Sequence, residues 1–402
     1  MFDPEDFFAR TGIQLTDPEV METSHITREI YDQWRAPRYG NANPEWMTNP
    51  LWAWLVRTGI NAYQATKKFD GPSSYDAGPA WCFERLGQPI VVLPDGTRVF
   101  ISGEHEDHYD PDFYIYNDVV LWKTDGDIDI LGYPEEIFPP TDFHTATLVG
   151  DFIIVVGNTG YPKQRRPNDT QVARINIKTW QVELMKTSGD KPNWLNSHKA
   201  FWDADRQVII VSHGEVGVGS DDAPYRKNFD RWELDVATWT WRKIWSCPWP
   251  RFRVQRTDGA HLALWSMKYS LEPDFTSGFA FHDSTLVDPA MQEHLRQQSR
   301  AKQGTAARLI QRGITQEHLE SLFYPSLEHT PVDNSADFDD ESFYKVKRIR
   351  VNDVMVRYLD DCNAIQVTVE GELAPSLMSQ LLEDLRLKLE AIQGSPCEIK
   401  QD

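Results

Sequence analysis

The sequence has no apolar run long enough to cross a bilayer. Its longest ones, Asp151-Phe-Ile-Ile-Val-Val-Gly157 and Arg206-Gln-Val-Ile-Ile-Val211, are strand-sized, well short of the roughly 20 residues a membrane helix needs. The start, Met1-Phe-Asp-Pro-Glu-Asp-Phe-Phe, places acids where a secretory leader carries positive charge, and no apolar block follows. Cysteine is scarce: Cys82, Cys247, Cys362 and Cys397 are dispersed and form no CxxC pair, which speaks against a disulfide framework or a local thiolate zinc knuckle. A cytoplasmic location is expected. Basic residues are also few, 41 against 61 acidic, for a formal net charge of −20. That balance repels phosphate backbones and anionic lipid, so neither nucleic acid nor a membrane is expected as a partner. There is no Gly-x-Ser-x-Gly elbow, P-loop or dinucleotide fingerprint. Gly214-Glu-Val-Gly-Val-Gly-Ser220 lacks the lysine and following helix that would hold phosphate.

What the sequence does hold is a repeat. Three segments between about 85 and 245 share an order: a polar or His-bearing lead-in, an apolar strand pair ending at glycine, a variable polar loop, and a second strand pair. The glycines are Gly103, Gly157 and Gly214, separated by 54 and 57 residues. Turns fall at Pro94-Asp95-Gly96, Gly150-Asp151 and Asp203-Ala-Asp205. The second repeat ends in strands around Asn176-Ile-Lys-Thr, and the third in the aromatic hairpin Phe229-Asp-Arg-Trp-Glu-Leu-Asp-Val-Ala-Thr-Trp-Thr-Trp-Arg-Lys-Ile. A fourth, weaker start is read at Thr257-Asp-Gly-Ala-His, which echoes Thr141-Asp-Phe-His.

These residues resemble the kelch repeat family: a His near the first strand, an apolar strand ending in glycine, a polar loop, and an aromatic such as Trp180 or Trp241 near the last strand. The resemblance implies four-stranded blades assembled into a β-propeller that commonly binds proteins. The expected fold is therefore mainly β. It comprises an N-terminal helical and aromatic extension over 1–80, a kelch-like propeller core over 81–285, a helical segment with an acidic linker over 286–343, and a small C-terminal α/β module over 344–402. In that module Pro375 and Gly394 bracket a helix with Met378, Leu381, Leu382, Leu385, Leu389 and Ile392 on one stripe.

The sharpest polar concentration is Gly103-Glu-His-Glu-Asp-His-Tyr-Asp-Pro-Asp. Carboxylate and imidazole ligands suit a divalent ion, with Glu104, His105, Asp107 and His108 as candidates, yet the spacing matches neither HExxH nor an EF-hand. The plainer reading is a solvated acidic loop. His144, His198 and His261 recur at strand lead-ins and are expected to be structural. No catalytic residue is singled out and no cofactor beyond that ion is expected. The leading expectation is protein binding through charged loops on one face, with Glu104, Glu106, Asp107, Asp110, Lys163, Arg165, Arg166 and Arg226 as contact residues. Alternatives are a metal-assisted enzyme acting on a small polar or carbohydrate-like substrate at the propeller mouth, and a cytoplasmic immunity or neutralising protein.

Overall fold

The computed structural model describes residues 4–21, 26–105, 111–166, 168–217, 225–246, 249–262, 264, 307–332, 346–360 and 363–401. It divides the chain into two compact units, Met1–Ser246 and Cys247–Asp402.

The first unit is built on three antiparallel meanders, each a four-stranded run in sequence order. A short N-terminal strand, β1 (Glu45–Trp46), lies beside the first meander. That meander consists of β2 (Ile90–Val92), β3 (Arg98–Ile101), β6 (Val119–Trp122) and β7 (Ile128–Gly132); β4 (Glu104–His105) and β5 (Tyr114–Ile115) form a hairpin inside it. The second is β8 (Thr145–Val149), β9 (Phe152–Val156), β10 (Val172–Asn176) and β11 (Val182–Leu184). After β12 (Ser188–Gly189) and β13 (Trp194–Asn196), the third is β14 (Lys199–Asp203), β15 (Val208–Ser212), β18 (Arg231–Asp235) and β19 (Thr240–Trp245). Within it, β16 (Glu215–Gly217) pairs with β13 and with β17 (Tyr225–Lys227).

The sheets lie face to face, which explains the unbroken apolar runs. Alternate side chains of one strand point to opposite faces, and β9 uses both. Ile153 and Val155 join a core with Val99, Leu121 and Leu131 of the first meander, whereas Ile154 and Val156 join one with Ile209, Val211 and Trp232 of the third. Burying each such side chain stabilises by about 1.5–3 kcal/mol. The first strands β2, β8 and β14 lie side by side. No closed barrel or ring of sheets is found among the described residues.

Turn chemistry repeats with the strands. Gly150-Asp151 joins β8 to β9, with Val149 paired to Phe152 and Gly150 at φ +57°. Asn176 Oδ1 accepts from the amides of Lys178 (2.8 Å) and Thr179 (3.1 Å), and Asp235 Oδ1 does the same for Ala237 (2.9 Å) and Thr238 (2.8 Å). Each turn ends on a left-handed tryptophan, Trp180 or Trp239. These side-chain-to-backbone bonds fix the turn without a glycine.

The N-terminal segment holds short helices rich in buried aromatics. Asn49 caps the helix Pro50–Thr58 by accepting from the Trp52 amide at 2.9 Å, and Gly59 ends it at φ +65°. Trp52 and Trp54 are buried, and Trp52 stacks on Trp81 at 4.8 Å. This layer covers the outer face of the first meander through Phe100, Val120 and Ile130. Trp46, on β1, is exposed.

The second unit holds a six-stranded antiparallel sheet. Its strands are β20 (Arg251–Arg256), β21 (Thr330–Val332), β22 (Val346–Val351), β23 (Val354–Asp360), β24 (Ala364–Glu370) and β25 (Cys397–Gln401), in the order β21-β22-β23-β24-β20-β25. The helix Pro375–Gln393 packs Leu381, Leu382, Leu385, Leu389 and Ile392 on one face of it, and Gly394 caps it at φ +65°. Thr315 caps the short helix Gln316–Ser321.

The sequence reading places residues 251–256 in the propeller core ending at 285. In the structure β20 instead pairs with β24 and β25, more than a hundred residues later, so the division falls at 246/247. The reason is apolar register: Phe252 and Val254 belong to the core under the C-terminal helix. The fourth repeat start does not lead into a fourth meander among the described residues, and His261 is exposed where His144 and His198 are buried. Of the expected helical segment and acidic linker over 286–343, residues 286–306 and 333–343 lie outside the described residues.

Candidate functional site

In a four-stranded meander the first and third turns share one end, and the second turn and the lead-in share the other. In each meander this second end carries the long connection, over 102–118, 157–171 and 213–230. The lead-ins are stitched together there. Gly87, Phe143 and Ser197 all have positive φ, and the Phe143 amide donates to the Gly87 carbonyl (3.1 Å) as the Ser197 amide does to the Phe143 carbonyl (2.7 Å). A Cβ on Gly87 would collide with the Phe143 backbone, which accounts for glycine at that position.

The first connection begins at β4, which exchanges backbone bonds with Leu86 at 2.8 and 3.0 Å and pairs with β5. Neighbouring residues of a strand face opposite ways, so Glu104 and His105 do not converge on one ion. His105 is buried near Asp112 and Arg85. Burial lowers its pKa, and the Asp112 charge works against that shift. Asp112 itself reaches back to the N-terminal layer, accepting from Ser74 Oγ (2.8 Å) and the Ala80 amide (3.1 Å).

Glu104 of the first connection lies near Asp142, in the lead-in of the second meander, where the Gly103 amide donates to the Thr141 carbonyl at 2.9 Å. Asp142 is fully buried. Its Oδ1 accepts from the Gly160 amide at 2.7 Å, and its Oδ2 has no hydrogen-bond partner among the described residues. The Asp142 backbone is pinned by Asn158, whose Oδ1 accepts from the Asp142 amide at 3.0 Å, and by the Thr159 amide, which donates to the Asp142 carbonyl at 3.1 Å. Burial raises the Asp142 pKa, opposed by the Gly160 amide, Glu104 and the nearby Arg165 charge. Asp142 escapes the sequence reading. Its only signal is its place in Thr141-Asp-Phe-His, where the histidine draws the attention.

A tyrosine cluster adjoins the pair. Tyr39 and Tyr114 lie 5.5 Å apart, Tyr114 meets Tyr116 edge-on at 4.9 Å, and Phe113 meets Tyr161 edge-on at 5.8 Å. The Tyr39 hydroxyl donates to the Ile115 carbonyl at 3.5 Å, and the Ile115 amide donates to Tyr161 Oη at 3.0 Å. Burial raises the pKa values of Tyr39, Tyr114 and Tyr161, so these phenols are neutral donors and acceptors. Beneath them Arg85 and Asp118 form a buried pair. Arg85 Nη2 donates to Asp118 Oδ2 at 3.0 Å and Nε to the Cys82 carbonyl at 2.9 Å, and the guanidinium lies 3.4 Å from the Tyr116 ring centroid.

In the second connection Arg165 folds back. Its Nε donates to the carbonyls of Thr159 (3.1 Å) and Gly160 (3.2 Å), and its Nη2 to Gly160 (3.1 Å). Arg165 thus shapes its own loop, whereas Lys163 and Arg166 are exposed. His144 and His198 are buried at equivalent positions. His198 Nε2 meets Thr145 Oγ1 at 2.8 Å, while neither ring nitrogen of His144 has a hydrogen-bond partner among the described residues. Gly157 makes room for His198: a Cβ there would lie 2.6 Å from its Cε1.

Glu106, Asp107, His108 and Asp110 lie outside the described residues, as does the side chain of Arg226, whose backbone pairs with Val216. Among the described residues no three His, Cys, Asp or Glu side chains gather as a metal site, and no helix is long and apolar enough to cross a membrane. No protein-family model and no curated protein matches the chain.

Proposed function

We propose that the three meanders are blades of a kelch-like β-propeller and that the chain is a protein-binding module working through the long connections at one end of its blades. The observation that carries this reading is the build of the second connection. Arg165 and the Trp194 indole, which donates to the Thr159 carbonyl at 3.0 Å, tie the loop down, while Lys163 and Arg166 stand out into solvent. A loop ordered before contact loses less conformational entropy on binding. Two exposed cations on a chain of net charge −20 favour a partner with an acidic surface.

The test compares proteins captured by wild-type chain and by the Lys163→Glu/Arg166→Glu double variant, at low and at raised salt. A partner held by wild type, weakened by salt and lost by a variant with an unchanged unfolding midpoint supports the reading. The same captured set from both proteins overturns it.

A further inference from the structure

The C-terminal sheet has two unlike faces. Val254, Ile349, Val356 and Val367 turn to the core shared with the helix Pro375–Gln393, so their neighbours along each strand turn the other way. Register lines basic residues up on that second face. Arg348 lies opposite Arg357, Arg357 opposite Thr368, and Thr368 opposite Arg251. In the flanking rows Arg253 lies opposite Lys400, while Arg350 lies opposite Met355, itself opposite Glu370. Like charges directly opposite one another destabilise a sheet, and this face carries two such pairs, Arg348–Arg357 and Arg253–Lys400. The acids on the same face among the described residues are Glu370, 2.5 Å from Arg357, and Glu398, 2.9 Å from Lys400. Basic side chains therefore outnumber acidic ones here, in a chain whose net charge is −20.

We infer that this face is a docking surface whose occupant is an acidic protein segment. All its basic residues except Lys400 are arginines, and a guanidinium presents a planar fork that matches the two oxygens of a carboxylate. Phosphate shares that shape, but two features favour carboxylates. None of the described side chains in these rows is aromatic, so the face offers no platform for base stacking. Beyond the face, a chain of net charge −20 repels the continuous phosphate backbone of a nucleic acid, whereas a short acidic segment ends where the basic rows end. Carboxylates set between the rows relieve both like-charge pairs at once. Arg350 and Lys400, on β22 and β25, are exposed where an incoming segment first meets the face. The face belongs to the unit Cys247–Asp402, whereas Lys163 and Arg166 belong to Met1–Ser246, so this inference stands apart from the binding function proposed above.

The test uses the full chain and fluorescein-labelled poly-L-glutamate, read by fluorescence anisotropy at low and at raised salt. Wild type should bind the probe, and salt should weaken the complex. Arg350→Glu/Lys400→Glu should weaken it by about tenfold or more without a lowered unfolding midpoint, whereas Lys163→Glu/Arg166→Glu should leave it unchanged. Should the first double variant fail to fold, Arg251→Gln/Arg253→Gln carries the same decision. No binding by wild type, or an equal loss in the Lys163→Glu/Arg166→Glu variant, overturns the inference. Tighter binding of a single-stranded oligothymidylate overturns it too, making the face a nucleic-acid site. So does binding that appears only once Asp333, Asp337, Asp339, Asp340 and Glu341 are changed to their amides, since the chain's own acids would then be the occupant. Probe binding lost in Arg350→Glu/Lys400→Glu, with partner capture unchanged in Lys163→Glu/Arg166→Glu, sinks the earlier reading alone.

Discussion

The side chain of Asn43 behaves as a strand towards Val182. Its Nδ2 donates to the Val182 carbonyl and its Oδ1 accepts from the Val182 amide, both at 2.8 Å. Val182 lies on β11, the outermost strand of the second meander, and is buried. Asn43→Ala leaves both backbone groups without partners, at a cost of about 1–3 kcal/mol. Asn43→Asp should cost at least as much, since a carboxylate would face the Val182 carbonyl. Urea unfolding followed by tryptophan fluorescence checks both.

Asp118 balances a guanidinium that has no access to solvent: the Arg85 side chain is 0% exposed and that of Asp118 is 3%. Asp118→Ala strands this charge and should cost about 3–5 kcal/mol. It also removes the acceptor of the Trp81 indole N–H, now 2.9 Å from Asp118 Oδ2. The double variant Arg85→Met/Asp118→Leu should unfold at a higher urea concentration than Asp118→Ala. Equal midpoints would show that the pair is not the source of the loss.

His144 and His198 make the first unit acid-sensitive. Burial pushes both down to about 3, His144 also through the charge of His198. A base with a lowered folded pKa leaves stability intact above the ordinary histidine value of 6.5, and stability falls as pH drops from there towards about 3. At pH 5 the loss is about 2 kcal/mol for each imidazole. Because neither His144 nitrogen has a partner among the described residues, His144→Leu should be close to neutral at pH 7 and raise the thermal midpoint at pH 5. An unchanged midpoint at pH 5 would refute this assignment.

Local features were legible in the sequence wherever one stretch of chain contains its own reasons. Gly150-Asp151 announces a hairpin turn, and the spacing from Met378 to Ile392 announces the C-terminal helix with its cap at Gly394. The strand Arg251–Arg256 falls inside the stretch expected to be propeller core. Its partners do not follow from alternation, because Val254 fits any sheet with an apolar face and only assembly decides for β24 and β25. The candidate site was half legible for the same reason. Glu104 stands out in an acidic loop, but its nearness to Asp142 depends on how two meanders align. Arg165 reads as a displayed charge until its Thr159 and Gly160 acceptors are seen.

The ties between successive repeats run both ways: Phe143 donates to Gly87 and Ser197 to Phe143, while Gly103 donates to Thr141 at 2.9 Å and Asn158 to Leu195 at 2.8 Å. The first meander already has its N-terminal helical layer encoded upstream of it, and so offers a finished face before the next repeat is made. Chains are synthesised from the N-terminus, and their earlier parts fold first. An emerging second repeat thus meets a face already in place, an order that suits assembly during synthesis.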